Sequence, residues 1–250
     1  MMDIGILVLA GSSKEDWVEK YGVQTKLELP VEDETPLIVH TWNSVKETNL
    51  PCIIATDSWL AEKYNLQPHV DASSNIAETL ANAASQLNTE YLLILSADMP
   101  FVTAESIKQL IAESEAGGER DIYVLIVPKE GIEQTFPGSP RTYVKLREGY
   151  FKLANGVLIR KDFFMREVRR ADDLLGSRKS PVKVAGMLGF GTILRALTGT
   201  LDVPYIWKMI ETRFHVKAYP VFTSRPEFGF DIDKEEHYEK TLELLKKEAK

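Results

Sequence analysis

The sequence of 250 residues contains a single cysteine, Cys52, and no apolar run of membrane-spanning length. A lone cysteine excludes an internal disulfide, and its place in the apolar stretch PCIIAT indicates a small core residue. A bilayer crossing needs roughly 20 consecutive apolar residues. The longest candidate, VAGMLGFGTILRAL, is shorter and includes Arg195. With no signal-like opening stretch, these absences predict a cytoplasmic protein without a membrane partner.

A basic excess is also missing, since the formal net charge is −7. This balance argues against a non-specific nucleic-acid binder, which presents a basic face to phosphates. The charge is uneven, with twelve Lys and Arg against five Asp and Glu between Arg141 and Lys183. That basic middle suits a small polyanionic ligand, but for most of its arginines a solvated helix face is the better explanation.

Composition and periodicity predict a soluble α/β protein, with 44% hydrophobic and 27% charged residues. In the first half, strands are predicted at 4–10, 51–56, 90–97 and 121–127, and helices at 35–48, 75–87 and after Thr103. Strands that alternate with helices predict crossover units and a mainly parallel sheet. We expect one domain over 1–250, with an acceptor-side elaboration at about 141–214.

The second half is less regular. The Gly- and Pro-rich stretch 131–142 predicts a loop, and YVKLREGYFKLANGVLI predicts a hairpin turning near Glu148, followed by a strand. Residues 161–212 are expected to be mostly helical. A strand at 215–222 and an amphipathic helix at the end complete the predicted order.

Ligands of open parallel sheets bind beyond the carboxyl ends of the strands. Gly11 directly follows the first strand, where a missing side chain lets backbone N–H groups approach phosphates. Ser12 and Ser13 add hydroxyl donors, although a simple turn explains these residues equally well. Lys26 is either a point charge for a triphosphate or a solvated surface lysine.

Asp98 follows a buried strand and lies too far before Thr103 to cap the next helix. An unpaired buried carboxylate is costly, and Mg²⁺, which favours one or two carboxylates plus phosphate oxygens, would compensate it. Asp231 and Asp233 are candidates for the second carboxylate. Asp233 with Glu236 also fits a capping box, so Asp231 ranks first.

The segments ILVLAGSS, LLILSADMPFVTAESI and FGFDIDKEEHYEKTLELL resemble nucleotidyltransferases with a molybdenum-cofactor-guanylyltransferase-like domain, over essentially the whole chain. The resemblance implies the nucleotide-diphospho-sugar transferase fold, a Rossmann-like three-layer α/β/α sandwich with a hairpin and helical insertion in the second half. It also implies Mg²⁺-dependent transfer of a nucleotidyl group from a nucleoside triphosphate to a small phosphorylated or acidic acceptor.

By matching position, the resemblance assigns phosphate binding to the loop from Ala10 to Ser13 and to Lys26, and catalysis to Lys26 and Asp98. It assigns Mg²⁺ to Asp98 and Asp231. Asn75 matches the region that recognises base or ribose, and its capping box with Glu78 is the alternative. On the acceptor side we predict the residues Arg141, Lys145, Asn155, Arg178 and Lys179.

The chain departs from the family pattern in the first loop, where Ser12 replaces a second glycine and the family's arginine is missing. Two alternatives therefore stay open. One is a glycosyltransferase that uses a nucleotide sugar, against which the LAG loop followed by Lys26 argues. The other is a non-catalytic nucleotide-binding regulatory module with a decayed loop.

Overall fold

A computed structural model describes residues 2–12, 14–72, 75–139, 141–168 and 190–248. Its strands are β1 (Ile4–Ala10), β2 (Cys52–Thr56), β3 (His69–Asp71), β4 (Tyr91–Ser96), β5 (Ile122–Pro128), β6 (Val144–Leu146), β7 (Gly149–Leu153), β8 (Gly156–Arg160) and β9 (Ala218–Phe222). Its helices are α1 (Leu37–Lys46), α2 (Ser58–Tyr64), α3 (Ile76–Gln86), α4 (Ala104–Glu115), α5 (Lys129–Thr135), α6 (161–168), α7 (Phe190–Leu197), α8 (Val203–Phe214) and α9 (Glu235–Glu248).

The described strands form one sheet in the order β3-β2-β1-β4-β8-β5-β7-β6, and β9 pairs with β5. Strands β1 to β4 pair in parallel, as do β5 and β9. Strand β8 lies antiparallel between β4 and β5, and the β6–β7 hairpin continues antiparallel from β5. The predicted mixed α/β architecture with a mostly parallel central sheet is confirmed.

Helices cover both faces of this sheet. In β1, Ile6 and Val8 belong to one core cluster with Trp42 of α1, whereas Leu7 belongs to the other cluster with Ala83 of α3. Successive side chains of a strand point to opposite faces. A strand buried on both faces is therefore apolar throughout, which explains the uninterrupted run that predicted β1.

The structure corrects the sequence-based map in three places. Helix α1 begins at Leu37, one residue later than the expected start at Pro36. Helix α2 and strand β3 were not predicted. The first part of the expected loop at 131–142 belongs instead to α5, because Ile132 is fully buried and holds this short helix against the core.

The predicted hairpin is confirmed, since Leu146 pairs with Gly149 across a turn that contains Glu148. Of the predicted helical stretch 161–212, the described parts form α6, α7 and most of α8, and residues 169–189 lie outside the described ranges. In the part of the chain that the structure describes, no helix has both the length and the apolarity required to cross a bilayer.

Candidate active site

Three segments far apart in the sequence meet at the carboxyl end of the parallel strands. Gly11 directly follows β1 and Asp98 follows β4, and these strands are parallel neighbours in which Leu9 pairs with Ser96. The third segment arrives from the end of the chain, where the N–H of Ile232 donates to the carbonyl of Asp98 at 3.0 Å. Parallel α/β sheets bind their ligands beyond the carboxyl ends of the strands, as here.

The three aspartates predicted as metal ligands lie together here. Carboxylate oxygens of Asp98, Asp231 and Asp233 all lie within 4.8 Å of one another. Asp98 and Asp231 are buried, and Asp233 is exposed. The capping box expected for Asp233 was wrong, because α9 begins only at Glu235 and the Asp233 carboxylate instead accepts a hydrogen bond from Lys26.

Lys26 is the direct partner of two members of this cluster. Its Nζ lies 2.7 Å from Asp98 Oδ2 and 3.2 Å from Asp233 Oδ1. Burial lowers the pKa of Lys26, but the charge of Asp98 and its hydrogen bond, with a smaller contribution from Asp233, raise that pKa overall. The other oxygen of Asp98 accepts from Ser96 Oγ at 2.5 Å. The buried Asp98 carboxylate is thus already compensated by a lysine and a hydroxyl.

A buried carboxylate fixes the backbone that carries Lys26. Glu28 lies in the same 3₁₀ turn, and its oxygens accept from Lys63 Nζ at 2.6 Å, from Tyr64 OH at 3.1 Å and from the N–H of Gln24 at 2.9 Å. Burial alone would raise the pKa of Glu28, but these hydrogen bonds lower it. Because Lys63 and Tyr64 belong to α2, these bonds hold α2 and the 3₁₀ turn that carries Lys26 together.

Asp231 has its own pair of cations. Its Oδ1 lies 2.6 Å from Lys152 Nζ and 3.2 Å from Arg141 Nη1, and Arg141 also donates to its backbone carbonyl at 2.8 Å. Burial opposes ionisation of Asp231, but the hydrogen bond with Asp233 and the charge of Lys152 lower its pKa. Burial and the neighbouring Asp231 raise the pKa of Asp233. Asp231 is therefore held in the charged form more firmly than Asp233.

We expect Asp231→Asn and Asp233→Asn to differ in stability. Loss of the Asp231 charge leaves Lys152 and the buried Arg141 without their counter-ion, which should lower the free energy of unfolding by about 3 kcal/mol. The Asp233 side chain is 58% exposed, so its loss should cost about 1 kcal/mol or less. Urea unfolding of both variants measures this, and a larger loss in Asp233→Asn would reverse the assignment.

His237 completes the arrangement around Arg141. Its Nδ1 lies 3.1 Å from Arg141 Nη1 and 3.3 Å from the N–H of Asp233. Both partners only donate, so Nδ1 must accept and the imidazole is neutral. Burial, followed by the charge of Arg141, lowers the pKa of His237, although Asp231 and Glu236 act in the opposite direction.

This lowered pKa predicts acid sensitivity. The unfolded chain binds the His237 proton more readily than the folded one, so the contribution to stability is complete above about pH 6.5 and is lost as the pH falls. We expect the melting temperature of His237→Asn to fall less between pH 7 and pH 5 than that of the wild type. His215→Asn, at an exposed histidine, is the matched control and should keep the wild-type slope. Equal slopes in all three proteins would contradict the assignment.

The predicted phosphate loop is open towards solvent at Gly11. A Cβ added to Gly11 would meet no atom within 4 Å, whereas Ala10 is buried and its carbonyl accepts from Thr56 Oγ1 at 2.9 Å. The N–H of the exposed Ser12 donates to the Asp57 carboxylate at 3.0 Å. One backbone donor of the loop is thus bonded to a carboxylate at the end of β2, and Ser13 lies outside the described residues.

Asn75 occupies the position that its capping box predicted. Its Oδ1 accepts from the N–H of Glu78 at 3.0 Å, and α3 begins at the next residue. A contact of Asn75 with a nucleotide stays a prediction.

The structure separates the predicted acceptor residues. Asn155 lies between β7 and β8, and its backbone bonds to Phe228 at 2.8 Å and to Ser96 at 3.1 Å, which places it beside the end of β4. Its Nδ2, like Nε and Nη2 of Arg141, is buried without a partner among the described residues. Lys145 lies exposed on the outermost strand β6, four strands from β4. Arg178 and Lys179 lie outside the described ranges.

Two residues of the site escaped the sequence analysis, Lys152 and His237. Lys152 contacts an aspartate 79 positions away, and nothing in the stretch FKLANG distinguishes it from a surface lysine. His237 follows Asp233 by four residues, but Asp233 precedes α9 and the contact comes from its backbone N–H, so the sequence carries no side-chain signal for it.

The sequence itself links this site to a known family, since residues 6–160 match the model of the MobA-like NTP transferase domain. The chain belongs to the MobA-like NTP transferase family. It is therefore an enzyme of the nucleotidyltransferase type. The family match includes Gly11, Lys26 and Asp98 but ends before Asp231. Among curated protein sequences, no match to this family member is found.

Solved structures resemble this NTP transferase over nearly its whole length. A hypothetical transferase from Thermus thermophilus is 27% identical with a TM-score of 0.82, covering 94% of this chain and 99% of that one. A nucleotidyl transferase from Methanothermobacter thermautotrophicus is 16% identical, with a TM-score of 0.58 and coverage of 98% and 99%. CMP:2-keto-3-deoxy-manno-octonic acid synthetase complexed with CTP is 12% identical, with a TM-score of 0.61 and the same coverage. The last two show the shared fold.

Proposed function

We propose that the chain is a Mg²⁺-dependent nucleotidyltransferase of the cytoplasm that acts as one domain. It would transfer a nucleotidyl group from a nucleoside triphosphate to a small phosphorylated or acidic acceptor and release pyrophosphate. The observation that supports this most directly is the convergence of Lys26, Asp98, Asp231 and Asp233 at the carboxyl end of β4. In a member of an NTP transferase family, that combination supplies a cation for the phosphates, Lys26, and carboxylates that can hold a metal ion.

The residues present fit a hard divalent cation. Mg²⁺ prefers carboxylate oxygens and phosphate oxygens, and three aspartates offer such oxygens within 4.8 Å of one another. A cationic group, the Lys26 ammonium, already lies between two of them. Asp98, Asp231 and Asp233 would hold the ion, and bound Mg²⁺ would neutralise negative charge on the transferred phosphate.

In the proposed reaction an oxygen of the acceptor attacks the α-phosphorus. The bond from that phosphorus to the bridging oxygen of the β-phosphate breaks, and pyrophosphate leaves with the electron pair. A phosphate or carboxylate nucleophile carries no proton that must be removed, so catalysis needs positioning and charge neutralisation. Lys26 would stabilise charge that develops on the α-phosphate, and the loop from Ala10 to Ser13 would hold the phosphates.

On the acceptor side, Asn155 is the best placed of the predicted residues, because it lies beside β4 and its Nδ2 has no partner within the described chain. Arg141 acts first as a counter-ion of Asp231 and orients the metal ligand from behind. Lys145, Arg178 and Lys179 are kept as candidates for the acceptor's anionic group on charge alone.

The test begins with a thermal-shift screen of the four ribonucleoside triphosphates with and without Mg²⁺. A ligand at 100-fold its Kd adds roughly 2.7 kcal/mol to stability, which is readily measured. Pyrophosphate release is then followed with the stabilising nucleotide and a panel of phosphorylated and carboxylated acceptors. Mg²⁺-dependent release supports the proposal.

Two other outcomes identify the alternatives. Binding of a triphosphate without pyrophosphate release for any acceptor would favour a non-catalytic nucleotide-binding module. Release of a nucleoside diphosphate from a nucleotide sugar would favour glycosyl transfer, which uses a related fold.

A further inference from the structure

The ammonium of Lys26 lies where a divalent cation has to bind. It contacts Asp98 Oδ2 at 2.7 Å and Asp233 Oδ1 at 3.2 Å. Both aspartates also contribute one carboxylate oxygen each to the cluster within 4.8 Å that includes Asp231. Mg²⁺ binds its oxygen ligands at about 2.0–2.1 Å. A metal ion and an ammonium therefore compete for the same two carboxylates.

The other cations of the site are bonded elsewhere. Lys152 and Arg141 contact Asp231, and each also holds a backbone carbonyl, Lys152 that of Gly229 at 2.8 Å and Arg141 that of Asp231 at 2.8 Å. Lys26 has only carboxylate partners among the described contacts of its ammonium. Asp98 and Asp233 thus depend on Lys26, and Lys26 is the cation that leaves most easily.

The local structure restricts the movement to the side chain. The 3₁₀ turn that carries Lys26 is fixed by buried Leu27 and by the bonds of Glu28 to Lys63 and Tyr64. The four-carbon stem of a lysine ends in freely rotating donors. The ammonium is therefore free to change partners while the backbone stays in place.

We propose that Lys26 and the divalent cation exchange places at Asp98 and Asp233. The lysine serves as the internal counter-ion of the carboxylates, and arrival of the metal releases its ammonium to the anionic nucleotide. This inference rests on the proposed function, because it concerns the metal and the nucleotide of the same site. It gives Lys26 two successive partners, first a carboxylate pair and then a phosphate.

Exchange predicts that removal of the Lys26 ammonium tightens metal binding. Binding of Mn²⁺ alone, without nucleotide, is followed by electron paramagnetic resonance for the wild type and Lys26→Met. We expect the variant to bind Mn²⁺ about tenfold or more tightly, because no ammonium has to be displaced. Lys26→Arg keeps the competing charge and should not bind more tightly than the wild type.

Lys234→Met is the matched control for the general electrostatic effect of removing a positive charge near the cluster. Lys234 adjoins Asp233 in sequence, and its side chain is 70% exposed and contacts Glu236 rather than the cluster. Screening limits the effect of such a charge, so its removal should change the Mn²⁺ affinity by about twofold or less. A tenfold gain in Lys234→Met as well would attribute the effect to net charge and overturn the exchange.

A second measurement uses the wild type and does not depend on folding of the variant. Acetylation of lysines, read by peptide mass spectrometry, should proceed faster at Lys26 once Mn²⁺ saturates the site, while the rate at Lys234 stays constant. Unchanged labelling of Lys26, or equal or weaker Mn²⁺ binding by folded Lys26→Met, would overturn the exchange. Pyrophosphate release by the wild type, assayed in parallel, shows whether the proposed function survives that result. Absence of Mn²⁺ binding in every protein would overturn the metal site and the exchange together.

Discussion

Asp98→Asn is expected to reduce Mg²⁺-dependent pyrophosphate release by roughly a thousandfold or more while the protein stays folded. Asn keeps the size and the acceptor oxygen of the side chain but removes the charge that both a metal and Lys26 require. Asp98 lies two residues after the end of β4, and its backbone carbonyl accepts a hydrogen bond from Ile232, the neighbour of Asp231. Asp98→Asn therefore removes a proposed metal ligand together with the carboxylate partner of Lys26.

Steady-state pyrophosphate release over a Mg²⁺ titration measures this effect. Asp121→Asn is the matched control, because Asp121 accepts from the N–H of Lys217 at 2.9 Å at the start of β5, away from the cluster. The control should keep wild-type turnover. Circular dichroism establishes that both variants are folded, and wild-type turnover in folded Asp98→Asn would remove Asp98 from the metal site.

Lys26→Ala is expected to lower kcat about a hundredfold or more, with a smaller loss of nucleotide affinity. A charge that acts on the α-phosphate mainly in the transition state contributes to kcat more than to binding. The raised pKa of Lys26 keeps the ammonium charged throughout the neutral range. The Lys26 side chain is only 12% exposed, so Lys26 is not an ordinary solvated lysine.

The comparison is with Lys247→Ala, which removes an exposed lysine paired with Glu243 on α9. That substitution should change stability by about 0.5 kcal/mol or less and leave kcat alone. Equal kcat for wild type and Lys26→Ala would exclude Lys26 from catalysis and favour the decayed-loop alternative. A large rise in KM with unchanged kcat would make Lys26 a ground-state binding residue only.

The sequence was sufficient to predict the residues that follow strands. Long apolar runs identify β1 and β4 because burial on both faces leaves no polar position in the strand. A carboxylate that follows such a strand and caps no helix is costly to bury, which indicates a functional role. The same reasoning singled out Asp231. Lys26 was predicted as a phosphate ligand, but its bond to Asp98 was not foreseen.

Partners distant in sequence were the part that could not be predicted. Arg141 and Lys152 come to Asp231 from 90 and 79 residues away, and only the assembled sheet brings them together. Asp233 was misinterpreted for a related reason. The spacing of Asp233 and Glu236 matches a capping box, but α9 begins only at Glu235 and the Asp233 carboxylate accepts from Lys26 instead.

The hydrogen bond from Ile232 to Asp98 has a consequence for biosynthesis. It joins Ile232 to the segment after β4, which is synthesised more than a hundred residues earlier. Folding proceeds from the N-terminus during translation. A nascent chain that has reached residue 160 already contains the whole family match, with Gly11, Lys26 and Asp98, but lacks Asp231 and Asp233. Such a chain cannot assemble the complete acidic cluster, so the proposed metal site forms only after residue 233 has been synthesised.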